Sequence, residues 1–108
     1  MSNPALAFDH VHIIAKKPHE TANWCVENLG AVIEADTVAR GTPHIFVGLG
    51  GMTLLIRGRR EGEVPAVPDT FRDYGAFSSH NRWGADHIGF VHNGDLAAYC
   101  EKLKANGV

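Results

Sequence analysis

Two short stretches near opposite ends of the chain share one pattern: residues 9–11 read Asp-His-Val and residues 86–88 read Asp-His-Ile. Imidazole exchanges protons near neutral pH and is the commonest side-chain metal ligand. Both histidines sit in runs of β-branched and aromatic residues, which favour strands and give each ring a defined side. His10 and His87 are therefore the first candidates for a functional site. The alternative for each is a strand histidine that is hydrogen-bonded within the core.

The residues around His10 predict one strand, one helix and three further strands. Alternation in the first strand puts His10 and His12 on the same face. Apolar residues at helical spacing, with a proline at the start and Gly30 at the end, predict a helix over 19–30. A glycine pair between the last two strands is a hairpin signal. The predicted strands span 8–15, 31–41, 44–49 and 52–57.

The pattern restarts in the last quarter of the chain, with a strand predicted over 85–92 and an amphipathic helix over 94–108. We predict one domain, 1–108, made of a first unit (1–58), a linker (59–84) and the start of a second unit (85–108). Two such units packed by pseudo-twofold symmetry would bring both Asp-His strands to one cleft. Because the second unit has no further strands here, we expect that the chain represents it incompletely.

The linker has no clean period and contains scattered aromatic residues, which either cover an apolar ligand or fill the gap between the units: Phe71, Tyr74, Phe77 and Trp83. Two acidic residues of the second strand, Glu34 and Asp36, are expected in solvated positions, although either is a possible source of a carboxylate ligand. The two cysteines, Cys25 and Cys100, are predicted to be small apolar core residues.

The βαβββ order, the two Asp-His strands, the helix end at 27–32 and the hairpin at 48–58 resemble the vicinal oxygen chelate superfamily. That superfamily includes glyoxalase I, bleomycin- and fosfomycin-resistance proteins, methylmalonyl-CoA epimerase and extradiol dioxygenases. The resemblance implies an α+β fold in which paired βαβββ modules form a curved mixed sheet around a cleft, with the second module incomplete.

In that superfamily, metal ligands lie on the first and fourth strands of each unit. The resemblance implies that His10 and His87 bind a divalent ion, such as zinc, nickel, manganese or iron. The fourth-strand position of the first unit falls on Leu55, which has no donor atom, and the carboxylate of the second unit is expected beyond Val108. Two histidines and one carboxylate would leave open positions for a substrate.

Other side chains are expected to line the cleft. His44 and Phe46 share one face of the third strand, and His12 shares the face of His10. Arg57 and two neighbouring arginines either hold an anionic substrate or form a solvated turn balanced by glutamates. No catalytic residue is assigned. The predicted substrate-binding residues are His12, His44, Phe46, Leu55 and Arg57.

The bulk composition narrows the class of protein. A formal net charge of −2 argues against general nucleic-acid binding. No apolar run is long enough to cross a membrane, and no export signal is visible at the N-terminus. Two cysteines do not make a disulfide framework, so the expected location is the cytoplasm. A half-built second unit leaves an open sheet edge, which predicts a homodimer or a larger assembly.

Two functions remain open from the sequence. The paired histidines favour a metal-dependent lyase, isomerase or dioxygenase that acts on a small molecule with adjacent oxygens. Leu55 and the linker aromatics favour the alternative, a metal-free protein that sequesters an apolar or aromatic antibiotic.

Overall fold

The structure, a computed structural model, describes residues 5–66, 83–85 and 87–108. The architecture of these residues is α+β, with one four-stranded mixed sheet and two helices. The first unit has the predicted order of strand, helix and three strands. The elements are β1 (His10–Ile14), α1 (Pro18–Leu29), β2 (Val32–Ala39), β3 (Thr42–Leu49), β4 (Met52–Arg57) and α2 (Leu96–Ala105).

Helix α1 begins and ends at residues that suit those positions. Pro18 occupies the first turn, where a missing N–H removes no helical hydrogen bond. Gly30 follows the helix with a φ of 69°, a left-handed conformation that favours glycine, and its N–H donates to the carbonyl oxygen of Cys25. Ala22, Cys25 and Asn28 are buried. The helix therefore covers one face of the sheet, and Cys25 is buried as predicted.

The strands pair in the order β1-β4-β3-β2. β1 runs parallel to β4, whereas β3 is antiparallel to both of its neighbours. Gly50 and Gly51 join β3 to β4 with φ values of 59° and 81°, and a two-residue turn with positive φ at both positions matches the twist of a hairpin. Within the described sheet, β1 and β2 are the two edge strands.

The hydrophobic core lies between α1 and one face of the sheet. Ile45 and Val47 of β3 and Ile56 of β4 are fully buried. They form one cluster with Ala22 and Cys25 of α1. Because alternate strand residues point to opposite sides, the residues between these core positions must point to the other face.

The second helix contacts the end of the first. Asp95 caps α2, its carboxylate accepting a hydrogen bond of 3.0 Å from the backbone N–H of Ala98. The Tyr99 hydroxyl donates to the carbonyl oxygen of Asn28. The side-chain amide of Asn106 lies 3.3 Å from the side-chain oxygen of the same asparagine. These contacts hold the start of the second unit against the first.

Two predictions for the second unit are wrong. The described residues of the predicted strand 85–92 form no strand, because a strand needs a hydrogen-bonded neighbour and none of the four strands pairs with them. Ile88 and Phe90 are exposed there instead of contributing to a sheet face. Cys100 is exposed, not buried, because the apolar side of α2 is not covered by the described part of the chain.

Only the ends of the predicted linker lie among the described residues. Residues 59–66 contain no helix or strand, and Trp83 is exposed. Phe71, Tyr74 and Phe77 lie outside the described residues. Among the described helices, neither is long and apolar enough to pass through a membrane.

Candidate functional site

Strand pairing brings the predicted residues of the first unit to one face of the sheet. His12 on β1 lies beside Leu55 on β4, which lies beside Phe46 on β3. In the next row, Arg57 lies beside His44. All of these positions alternate with core positions that pack on α1, so they share the opposite face. We call this surface the site face, and it carries His10, His12, His44, Phe46, Leu55 and Arg57.

Three imidazole rings follow one another across the site face. The ring centroids of His10 and His12 are 6.2 Å apart, and those of His12 and His44 are 6.1 Å apart. His44 is buried, with Nδ1 3.4 Å from the carbonyl oxygen of Thr42. Partial burial of the His12 ring lowers its pKa from the usual 6.5, and the positive charge of Arg57 lowers the pKa further. His12 is therefore mostly neutral at neutral pH and able to accept a proton.

The ring of His10 is oriented by a neighbouring carboxylate. Its Nδ1 lies 2.5 Å from Oδ2 of Asp9, a contact between the last residue before β1 and the first residue of the strand. With Nδ1–H donating to Asp9, the lone pair of Nε2 is left for another partner. This arrangement is typical of histidines that bind metals, in which an acidic partner fixes the tautomer and ring orientation.

Arg57 is a buried cation held by one acidic residue. Only 6% of the residue is exposed. Its Nη1 donates to Oε1 of Glu63 at 2.8 Å and to the carbonyl oxygen of Gly58 at 3.0 Å, and Nη2 donates to Oε2 of Glu63 at 3.4 Å. Hydrogen bonds from Arg57 and from the backbone N–H of Arg60 hold the pKa of Glu63 below its usual range. Arg57 is therefore not solvated, as the alternative of a turn had it, although it is balanced by a glutamate as that alternative predicted. Arg59 is exposed, as such a turn predicts.

His87 lies in the irregular segment before α2 and is exposed. The structure shows no ring contact between His87 and His10. Among the described residues, no group of three or more His, Cys, Asp or Glu side chains gathers closely enough to hold a metal ion. The ligand pair predicted from the repeat stays a prediction.

Two contacts of acidic residues were missed from the sequence, and a third, between Arg57 and a glutamate, was one of the alternatives considered there. Asp9 precedes β1, so the alternation that puts His10 and His12 on one face does not fix its direction. Glu63 holds the cation of Arg57. Glu34 lies at a register shift in β2, and its carboxylate covers Gly48 on β3. The adjacent Asp-His pair was a visible signal for the first contact, and the arginines and glutamates that follow β4 were the signal for the second.

The βαβββ unit, with a helix on one face and polar residues on the other, has the fold that the sequence resemblance implied, and solved structures share this fold. No family model matches the sequence, and no curated protein matches it. The chain is, however, similar to several solved structures.

Among these is the fosfomycin resistance protein FosX from Listeria monocytogenes, with a TM-score of 0.62 and 17% identity over 94% of this chain and 70% of that chain. A FosX structure complexed with Mn(II) and sulfate has a TM-score of 0.61, also at 17% identity, and covers 94% of this chain and 72% of that one. SMU.1112c has a TM-score of 0.56 at 19% identity, covering 94% of this chain and 75% of that one. At these identities the likeness establishes the fold.

Proposed function

We propose that the chain is a glyoxalase-like enzyme that uses one divalent metal ion, bound by His10 and His87, to act on a small molecule with adjacent oxygen atoms. The observation that carries the proposal is the Asp9-oriented imidazole of His10, placed on a face that also presents a neutral imidazole and a buried guanidinium. The fold is shared with FosX, which has been crystallised with Mn(II).

The residues of β1 fit a metal ligand. Asp9 holds Nδ1 of His10, so Nε2 is the donor for the ion. Leu55 occupies the fourth-strand position without a donor atom, so the first unit supplies one ligand and His87 is proposed as the next. A bound zinc, nickel, manganese or iron ion would act as a Lewis acid toward the substrate oxygens.

The other residues of the site face have separate tasks. His12, kept neutral by partial burial and by Arg57, is placed to accept a proton from the substrate. Phe46 and Leu55 form an apolar wall beside it. Proton abstraction beside a polarised carbonyl is the common step of isomerase and lyase chemistry, and we favour these over a dioxygenase.

Metal binding by variants tests the proposal. The untagged protein is equilibrated with Mn(II), and the bound metal is measured by elemental analysis. We expect His10→Ala and His87→Ala to lose the metal, and His12→Ala to keep it while losing turnover. Affinity should also fall in acid, because protonated imidazole has no lone pair. Equal metal content in the wild type and His10→Ala would contradict the site.

A second function, metal-free binding of an apolar molecule, is favoured by one observation. A cavity of about 330 Å³ lies between the β3–β4 turn and α2. Its apolar lining includes Leu49, Phe90, Leu96 and Tyr99. Small-molecule sites are commonly of this size and character. Binding of a hydrophobic fluorophore that is abolished by Leu49→Gln, with no metal bound by the wild type, would favour this function over the enzyme.

A further inference from the structure

The guanidinium of Arg57 has one edge occupied, whereas its other edge, called the empty edge, receives no hydrogen-bond partner from the described residues. Its five N–H groups form a fixed planar fork. Both Nη atoms point one hydrogen each at the Glu63 carboxylate, and the second hydrogen of Nη1 points toward the carbonyl oxygen of Gly58. The remaining edge is formed by Nε–H and the second hydrogen of Nη2. Nε is fully buried and has no hydrogen-bond partner within the described part of the chain.

We propose that this empty edge, Nε–H with Nη2–H of Arg57, binds the oxyanion group of a ligand through two parallel hydrogen bonds. Carboxylate, phosphate and phosphonate groups all present two oxygens at the spacing of this edge. The proposal rests on the proposed function for its ligand, since it assigns an anionic group to the substrate of the same face. The binding itself requires no metal.

Because Arg57 is buried, a donor on its empty edge that lacks a partner calls for an explanation. Buried donors in folded proteins are almost always paired, and each exception calls for an explanation. A solvent-exposed arginine would satisfy Nε with water, but only 6% of Arg57 is exposed. An acceptor brought by a ligand would satisfy the donor in the bound state.

The surroundings of Arg57 are positively charged. His44 lies beside Arg57 in the strand pairing, and the backbone N–H of Arg60 donates to the same Glu63 carboxylate that Arg57 contacts. Glu63 is the acidic side chain in contact with Arg57. Among the described residues, this one carboxylate lies next to the two arginines Arg57 and Arg60, and an anion bound at the empty edge would balance the remaining positive charge.

Exposed residues next to Arg57 would allow a ligand to approach it from solvent. Arg57 lies at the end of β4, and its neighbour across the parallel pairing is Ile14 of the edge strand β1. Half of Ile14 is exposed, and His12 on the same strand is also exposed. The site face is thus open to solvent on the β1 side of Arg57, next to the imidazole proposed as the base.

The direct test is nuclear magnetic resonance of the arginine Nε–H groups in the wild-type chain without metal. Inorganic phosphate and acetate are titrated separately. We expect the Nε–H signal of Arg57 to shift and to saturate with one of the two. Tighter binding of phosphate would identify a tetrahedral group, and tighter binding of acetate a planar one. An Nε–H signal that neither anion moves would overturn the proposal.

Variants distinguish two-point hydrogen bonding by the guanidinium of Arg57 from attraction by its positive charge alone. Arg57→Lys keeps the charge but loses the two-point edge, so binding should weaken about tenfold or more, the loss expected for one charge-assisted hydrogen bond. Arg59→Gln removes a charge two positions away on an exposed residue and should bind as the wild type does. Equal binding by Arg57→Lys and the wild type would refute the assignment, and the backbone amide spectrum of each variant checks that it is folded.

Mn(II) binding is measured on the same samples. Loss of anion binding in Arg57→Lys with retained Mn(II) supports the anion site separately from the metal site. A wild-type chain that binds phosphate at Arg57 but no Mn(II) contradicts the proposed metalloenzyme and leaves the anion site standing. A chain that binds Mn(II) but neither anion contradicts the anion site alone.

Discussion

Removing the carboxylate beside His10 should weaken metal binding without removing a ligand. In Asp9→Ala the Nδ1 of His10 loses the acceptor that lies 2.5 Å away, so the ring no longer has a fixed tautomer or orientation. Partners of this kind are worth about 10- to 100-fold in metal affinity. Because 90% of the Asp9 side chain is exposed, water screens its charge and partly replaces it, so we expect a loss of about tenfold, at the low end.

The assay is calorimetric titration of Mn(II) into the metal-free chain at neutral pH. Asp9→Asn keeps an oxygen acceptor but loses the negative charge, so its affinity should lie between those of the wild type and Asp9→Ala. The matched control is Asp36→Asn, because Asp36 makes the same kind of contact, 3.0 Å to Nε2 of His19, away from the site face. Equal affinities for Asp9→Ala and Asp36→Asn, with binding still dependent on His10, would refute the orienting role.

Three further predictions follow from the structure. Ile56→Ala, at a fully buried core position, should lower the free energy of unfolding by about 2–5 kcal/mol in urea denaturation, whereas Val38→Ala on an exposed edge position should change it by less than about 0.5 kcal/mol. His12 should titrate below 6.5 by nuclear magnetic resonance, and Arg57→Gln should raise this pKa only part of the way back to 6.5, because burial is the largest cause of the shift. The stabilisation from neutral His12 is present above the pKa of the unfolded state. It is lost as the pH falls through the pKa of the folded state. Exposed Ile88 and Phe90 predict a homodimer or larger assembly, and sedimentation as an 11.7 kDa monomer at micromolar concentration would contradict it.

Much of the first unit could be predicted from sequence because its signals are local. The predicted strand 8–15 is observed over His10–Ile14, and the predicted helix over 19–30 is observed over Pro18–Leu29. Alternation, a proline, a terminal glycine and a Gly-Gly turn each act within a few residues of chain. The strand predicted over 85–92 was wrong because a strand also depends on a partner elsewhere in the chain, which no local pattern reports.

The contacts around the candidate site were less predictable than the faces of the strands. The sequence placed Arg57 near Glu63 but left open whether the pair was solvated, since burial at the end of β4 is a property of the tertiary structure. The Asp9 contact depends on where β1 begins, and strand ends are the least certain part of any sequence-based assignment. Hydrogen-bond partners at the ends of elements therefore require the structure.

His10 and His12 lie two residues apart on the same strand and face, yet their neighbours differ in a way that separates their chemistry. Asp9 bonds to Nδ1 of His10, which favours a ring that keeps that proton and offers Nε2 as a donor atom. Partial burial of His12, and after it the positive charges of Arg57 and Arg60, disfavour a second proton on its ring. An imidazole that stays neutral serves as a base, whereas one oriented by a carboxylate serves as a ligand. The period of two in a strand therefore places the proposed metal ligand and the proposed base side by side, and the groups around each ring support the role proposed for it.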